Sequence, residues 1–363
     1  MRSARKRFLF AISAIALGLT LPVTALLTID VYLHHKFERG LLFNVWGYRG
    51  PVAGRKQRSE YRVAVLGGSA AYGFGVGWDE SMPALLEQQL AGHRRGFRVV
   101  NLAYNNEGAY SFLFTLKDYA FLQADLVVLY EGYNDLMGDP DSPGDRPNRS
   151  VFRHESPVFR LTGYLPVFPI IFREKASVLL HGDTRAAYAL TNGSTKTIFR
   201  PGLATRTTAE ILRSAADVGE ALERQLGRLS LEPQPITQPS ASGCHYPWAV
   251  YCHSMYVAAA WALDHHQQVL VVTQPYELGP QLHARHADQQ RAVATMVQQR
   301  FPRDVRVRYV NLGEVVDLSD PTLSFDRMHL TAVGNGRIAR ALLEPVVQMA
   351  AQASQGPLQS AIR

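Results

Sequence analysis

Five short apolar runs recur along the chain: Arg62–Leu66 (RVAVL), Arg98–Leu102 (RVVNL), Leu126–Tyr130 (LVVLY), Val269–Thr273 (VLVVT) and Val307–Leu312 (VRYVNL). Each is nearly continuous rather than alternating, the pattern of a strand covered on both faces. Helical patterns separate them: Ser81–Leu90, with Leu85, Leu86 and Leu90 on one face, then Tyr110–Leu122, Tyr251–Leu263 and Asp288–Phe301. A last one, Ala332–Met349, carries Ile338, Leu342, Leu343 and Val347. Strands alternating with helices imply right-handed crossovers and a parallel sheet. The pattern therefore predicts an α/β domain over 61–350, a three-layer, doubly wound (flavodoxin-like) parallel sheet of about five strands. A connector over 34–60 precedes it and a tail over 351–363 follows.

The rhythm breaks between the third and fourth runs. Residues 138–243 form an insertion that opens with a Pro/Gly/Asp-rich loop and continues as SPVFRLTGYLPVFPIIF. That apolar, proline-studded stretch reads either as packed core of the insertion or as a lid or membrane-surface element. A helix is predicted from Thr207, where Thr207 and Glu210 make a capping-box pattern. Its apolar face is Ile211, Ala215, Val218, Leu222, Leu226 and Leu229. EPQPITQPSASG then reads as a loop.

Charge changes the picture only at the start. The formal net charge is +7, but Arg2, Arg5, Lys6 and Arg7 crowd into the first seven residues. The remainder is mildly positive, without a basic patch interleaved with aromatics, so no nucleic-acid footprint is present. Behind those charges, Phe8–Ile29 runs 22 residues without a charge, about the length needed to span a bilayer. The basic flank would stay cytoplasmic and send the body of the chain across. A cleaved signal peptide competes, with Phe8–Leu21 as its apolar core and cleavage after Ala25. Apolar character continues through Val31 to Leu33, which favours an uncleaved anchor over 1–33. Both readings put the body of the protein outside the cytoplasm, periplasmic if the source is bacterial, held by one transmembrane helix or secreted. With 47% hydrophobic and 19% charged residues, wholesale disorder is excluded.

The two cysteines, Cys244 and Cys252, suit an oxidising compartment, where they can close a short disulfide loop. Free thiols and, with His245 and His253, a metal site are the other readings, although the Cys-His adjacency matches no familiar zinc spacing.

In a doubly wound sheet, sites form at the carboxyl ends of the strands. The first run enters Gly67-Gly68-Ser69, where glycines allow a sharp turn that exposes the serine. The second is followed by Asn105-Asn106-Glu107-Gly108, and the third by Glu131-Gly132-Tyr133-Asn134-Asp135, where an asparagine can aim its amide at a developing oxyanion. After the fifth comes SFDRMHLTAVGNG. Asp326 and His329 are three residues apart there, so one turn can let the carboxylate orient the imidazole while the other ring nitrogen acts as base. A phosphate-cradling loop at GGSAAYGFG is the competing reading, but GxGxxG is not met and there is no GK[ST].

Taken together these residues resemble the SGNH (GDSL-like) hydrolase superfamily, whose four blocks carry Ser, Gly, Asn and His. The matches are GGS with Ser69, the Gly108 loop, GYND with Gly132 and Asn134, and DRMH with Asp326 and His329, all in the family's order. Two departures stand out: Gly68 replaces the family's aspartate, and NLAYNNEG has Ala103 near the place of an early loop glycine. The resemblance implies a serine esterase without metal or cofactor. Ser69 would be the nucleophile, His329 the base and Asp326 its orienting acid. The Ser69 and Gly108 N–H groups with the Asn134 side chain would form the oxyanion hole, acting on an acyl ester of a small molecule, lipid or acylated glycan. An O-acyltransferase or deacetylase working on an envelope polysaccharide, and a non-catalytic binding module, are the alternatives.

Overall fold

The computed structural model describes residues 2–38, 43–93, 96–136, 148–181, 201–227, 244, 247–276 and 279–359, and for 2–17, 19, 22, 181, 227 and 354–359 the backbone alone. Leu229, the loop 138–147 and the segment 232–243 lie outside the described residues. The strands are β1 (Glu60–Gly67), β2 (Gly96–Asn101), β3 (Leu126–Tyr130), β4 (Gln268–Thr273) and β5 (Val307–Asn311). The helices begin with α1 (Arg2–Phe37), α2 (Ser69–Tyr72), α3 (Met82–Leu90), α4 (Phe112–Asp118), α5 (Tyr133–Leu136) and α6 (Phe152–Glu155). They continue with α7 (Pro157–Thr162), α8 (Phe168–His181), α9 (Leu203–Gly227), α10 (Ala249–Asp264), α11 (Pro280–Arg300) and α12 (Ala332–Gln359). Two compact units result, Met1–Phe37 with Ser156–Glu232, and Glu38–Glu155 with Pro233–Arg363.

The second unit holds the sheet. All five strands are parallel in the order β2-β1-β3-β4-β5. Every residue of β3 and β4 is buried, as their unbroken apolar runs require, whereas β5 at the edge is half-buried. Helix α3 packs on α12, and α10 packs on α4 and α11, which gives the layers on the two faces of the sheet. The order reverses direction between β1 and β3. At that point the loops leaving the two strands diverge and open a crevice at their carboxyl ends. The register pairs Gly67 with Tyr130, so the two chains leave the sheet side by side.

In the first unit, α8 and α9 pack along their lengths. Helix α9 begins at Leu203, one turn before the expected start. Thr207 therefore lies inside it and returns its hydroxyl to the Leu203 carbonyl, 3.0 Å away, instead of capping. The apolar face is also turned the other way. Ala209, Ala216 and Gly219 are buried, while Ile211, Val218 and Leu222 are 63%, 56% and 51% exposed. Small residues let the two backbones approach closely, and the Phe168 ring takes the space a side chain at 219 would fill. Arg173 of α8 bridges Asp217 and Glu220 of α9 at 3.1 and 2.6 Å.

Helix α1 joins this unit through its last turns. Buried Asp30 accepts the Val167 and Phe168 N–H groups at 2.8 and 2.6 Å and the Tyr164 hydroxyl. His34 Nε2 meets the Leu165 carbonyl at 3.0 Å. The run Phe8–Ile29 lies within α1, with most of its side chains outside the described residues. Among the described residues no helix is long and apolar enough to cross a membrane.

The orientation of α9 makes two substitutions behave in opposite ways. Gly219→Leu, whose Cβ alone would come within 2.5 Å of the Phe168 ring, should lower unfolding stability by about 1–3 kcal/mol through overpacking. Ile211→Ser should change it by less than about 0.5 kcal/mol, as exposed substitutions do. Chemical denaturation of the two variants beside wild type checks both.

Candidate active site

Chain geometry brings Ser69 to the crevice. Gly67 ends β1 so close to β3 that a Cβ would sit 2.3 Å from the Tyr130 carbonyl and 2.6 Å from the Ala71 Cβ. Gly68 is tighter still: a Cβ there would fall 2.0 Å from Asn134 Nδ2, 2.8 Å from Glu131 Oε2 and 3.0 Å from the Glu107 carbonyl. Two glycines thus let the chain pass between β3 and the Glu107 loop and turn at once into α2. Ser69 is the first residue of that helix.

Its hydroxyl lies 2.9 Å from His329 Nε2, and His329 Nδ1 lies 2.6 Å from Asp326 Oδ2. With Nδ1–H donated to the carboxylate, the Nε2 lone pair is free to accept the Ser69 proton. The turn that holds Asp326 and His329 is closed by the other carboxylate oxygen. Asp326 Oδ1 accepts the Met328 and His329 N–H groups at 3.0 and 2.6 Å. Between them Arg327 takes a left-handed φ of 70°, a conformation uncommon for a non-glycine residue. Burial acts to raise the Asp326 pKa, but the His329 ring and the backbone N–H groups of His329 and Met328 hold it below the usual carboxylate value. Asp326 therefore stays ionised opposite the imidazole.

Asn134 and Gly108 line the same crevice. The Asn134 amide donates to the Glu107 carbonyl at 2.8 Å and its Nδ2 lies against Gly68, the residue before Ser69. Gly108 opens the turn Ala109–Ser111, and its backbone rests on Asp135, whose oxygens a Cβ would approach to 2.8 Å. Two exposed rings flank His329: Phe74 and Phe325 lie with centroids 4.7 and 5.9 Å from its ring.

Sequence reasoning assigned no role to the groups beneath this surface. Glu131 is fully buried, and its Oε1 accepts the Gly132 and Asn134 N–H groups at 2.9 and 3.2 Å. Asp135 Oδ2 accepts the Ala109 N–H at 2.9 Å. Buried Glu107 lies 3.6 Å from buried Arg153, which donates to the Leu102 carbonyl at 2.7 Å and carries Tyr104 and Tyr119 on its guanidinium. The signal was available in EGYND, where two acids bracket the asparagine just after an all-apolar strand. Phe74 and Phe325 had no signal, because their place beside His329 is set by tertiary structure.

Cys244 and Cys252 are joined by a disulfide, with Cα atoms 6.2 Å apart. Among the described residues no group of three or more His, Cys, Asp or Glu side chains is arranged to hold a metal ion. A cavity of about 270 Å³ lies away from the triad, lined by Arg49, Trp78, Glu87, Arg98 and Asn101 among others.

No family model matches the chain, and no curated protein matches it. Solved structures do. A catalytic mutant of an acetylxylan esterase from Geobacillus stearothermophilus is 11% identical, with a TM-score of 0.40 over 78% of this chain and 93% of that one. A carbohydrate acetylesterase from Sinorhizobium meliloti is 12% identical, with a TM-score of 0.38 over 80% and 99%. A family 3 carbohydrate esterase from Clostridium thermocellum is 13% identical, with a TM-score of 0.39 over 81% and 99%. These likenesses are too distant to assign chemistry to this chain.

The close approach at Gly68 yields a direct check. Gly68→Ala should displace the Asn134 amide and reduce turnover of a p-nitrophenyl ester at least about 10²-fold, the cost of one oxyanion donor, with circular dichroism unchanged. Wild-type turnover in the folded variant would show that the approach has no catalytic role.

Proposed function

We propose that this protein is a serine esterase that works through an acyl-enzyme. The reading rests on one observation, the Ser69–His329–Asp326 line with contacts of 2.9 and 2.6 Å. Ser69 Oγ attacks the ester carbonyl while His329 Nε2 takes its proton. The carbonyl oxygen becomes an oxyanion held by the Ser69 and Gly108 N–H groups and the Asn134 amide. Collapse breaks the bond to the alcohol, which leaves with the proton from His329. Water, deprotonated by the same imidazole, then attacks the acyl-serine and releases the acid. Asp326 keeps the ring in the required tautomer and stabilises the imidazolium that forms at each proton transfer. The aromatic rim of Phe74 and Phe325 suits an ester with an apolar part beside the scissile bond.

The chain is held at a membrane by α1, with the catalytic unit outside the cytoplasm. Support comes from the uncharged Phe8–Ile29 run inside one continuous helix and the four basic residues before it.

Labelling by a fluorophosphonate should be strong for wild type and absent in Ser69→Ala and His329→Ala, and Asn134→Ala should lower kcat about 10²–10³-fold. Undiminished ester hydrolysis in Ser69→Ala would refute the nucleophile. For the anchor, the protein should stay with the membrane fraction through high-salt and alkaline washes; a soluble form starting near Leu26 would instead mark a cleaved signal.

A further inference from the structure

One buried guanidinium sits inside the loop that leaves β2. Arg153 of α6 donates through Nη2 to the Leu102 carbonyl at 2.7 Å, where that loop begins. The same nitrogen lies 3.6 Å from Glu107 Oε2, near the loop's end, and both side chains are 3% exposed. Between these ends the Tyr104 ring lies over the guanidinium, its centroid 5.2 Å from Cζ. Arg153 also donates to the Gly47 carbonyl and the Thr115 hydroxyl, both at 3.3 Å, and the Tyr119 ring stands 5.2 Å away. Residues 102–107 thus wrap around a side chain that the connector and α4 hold as well.

That loop reaches the site at two points. The Glu107 carbonyl accepts the Asn134 amide at 2.8 Å. The same oxygen would lie 3.0 Å from a Cβ at Gly68, the residue before Ser69. A carboxamide is planar and carries two N–H donors, so the hydrogen given to Glu107 sets the direction of the other. We propose that Arg153 is a positioning residue: its guanidinium holds the Leu102–Glu107 loop so that the Glu107 carbonyl fixes the Asn134 amide. The effect on rate rests on the esterase reading; the placement of the amide does not.

Lysine would match the charge but not the contacts. A guanidinium presents five N–H donors in a rigid fork, and here they face two carbonyls, a hydroxyl and a carboxylate. Burial pushes the Glu107 pKa up, and Arg153, with the backbone N–H groups of Arg153 and Phe152, pulls against it. Helix α6 is itself tied down. His154 Nδ1 lies 3.0 Å from Asp118 Oδ2 of α4, and Phe152 stacks on Tyr104 with centroids 5.7 Å apart. Removing one partner of a buried ion pair leaves the other charge uncompensated, whereas removing both can be nearly neutral. The two consequences of losing Arg153 are therefore separable. Instability follows from Glu107 left alone, and a misplaced amide follows from a loop without its centre.

The test measures Tm, and kcat and KM for p-nitrophenyl acetate, on full-length protein in detergent. Arg153→Met should lower Tm and lower kcat at least about tenfold, but by no more than Asn134→Ala does, with KM within about threefold. Adding Glu107→Gln should restore much of the Tm and leave kcat low. In an Asn134→Ala background, Arg153→Met should lower kcat by less than about threefold further, because residues that act through one another are not additive. Arg153→Lys should fold, with kcat between wild type and Arg153→Met; where Arg153→Met does not fold, Arg153→Lys takes its place in every comparison. The proposal is overturned if the folded variant keeps wild-type kcat, if its loss multiplies with that of Asn134→Ala, or if Glu107→Gln restores kcat together with Tm. A wild type without Ser69-dependent turnover would sink the esterase reading alone. The Asn134 side-chain amide resonances then decide: they should move in the Arg153 variant, and unmoved resonances overturn the positioning role.

Discussion

The pairing of Gly67 with Tyr130 across β1 and β3 is the contact on which the site depends. Parallel strands in this register end together, so Gly68 arrives beside both Glu131 and Asn134. Because strand side chains alternate, a slip of one residue would turn each of these groups to the opposite face. The approach is so close that Cβ atoms are excluded at both glycines. The serine's place at the head of α2 is a consequence of how tightly two strands leave one sheet, and it is buried there rather than exposed as the glycine turn suggests.

Carboxylates sit around this crevice in three arrangements set by environment. Asp326 sits near the surface, accepts three N–H groups from its own turn and His329, and stays ionised. Glu131 is fully buried and Asp135 half-buried, neither forms an ion pair among the described residues, and burial pushes the pKa of each up. The first orients a base; the others orient backbone and an amide. The buried Glu107–Arg153 pair supplies a third arrangement, in which charge is matched inside and the Glu107 carbonyl is left to hold Asn134.

The first unit follows a different logic. Its helix pair is joined by alanine and glycine, and a stripe of large aliphatics faces outward. Periodicity reveals that α9 has an apolar side, but it does not say which side packs. Close backbone approach along small residues, with Arg173 tying both helices, outweighs the burial of Ile211, Val218 and Leu222 within this unit.

What the sequence by itself determined was the set of strands, their parallel arrangement and the residues that gather at the candidate site. Unbroken apolar runs mark strands buried on both faces, and Ser69, Asn134 and the Asp326–His329 turn stand where such strands end. These are local properties: period, spacing and the conformational freedom of glycine are legible over a few residues. Tertiary structure alone decided the contacts between distant segments, including Phe74 beside His329, Glu131 under Gly68, Asp135 under Gly108 and the outward face of α9. Each depends on which surfaces meet and on how close two backbones come. A burial environment, and with it the protonation of an acid, exists only once the chain has closed around it.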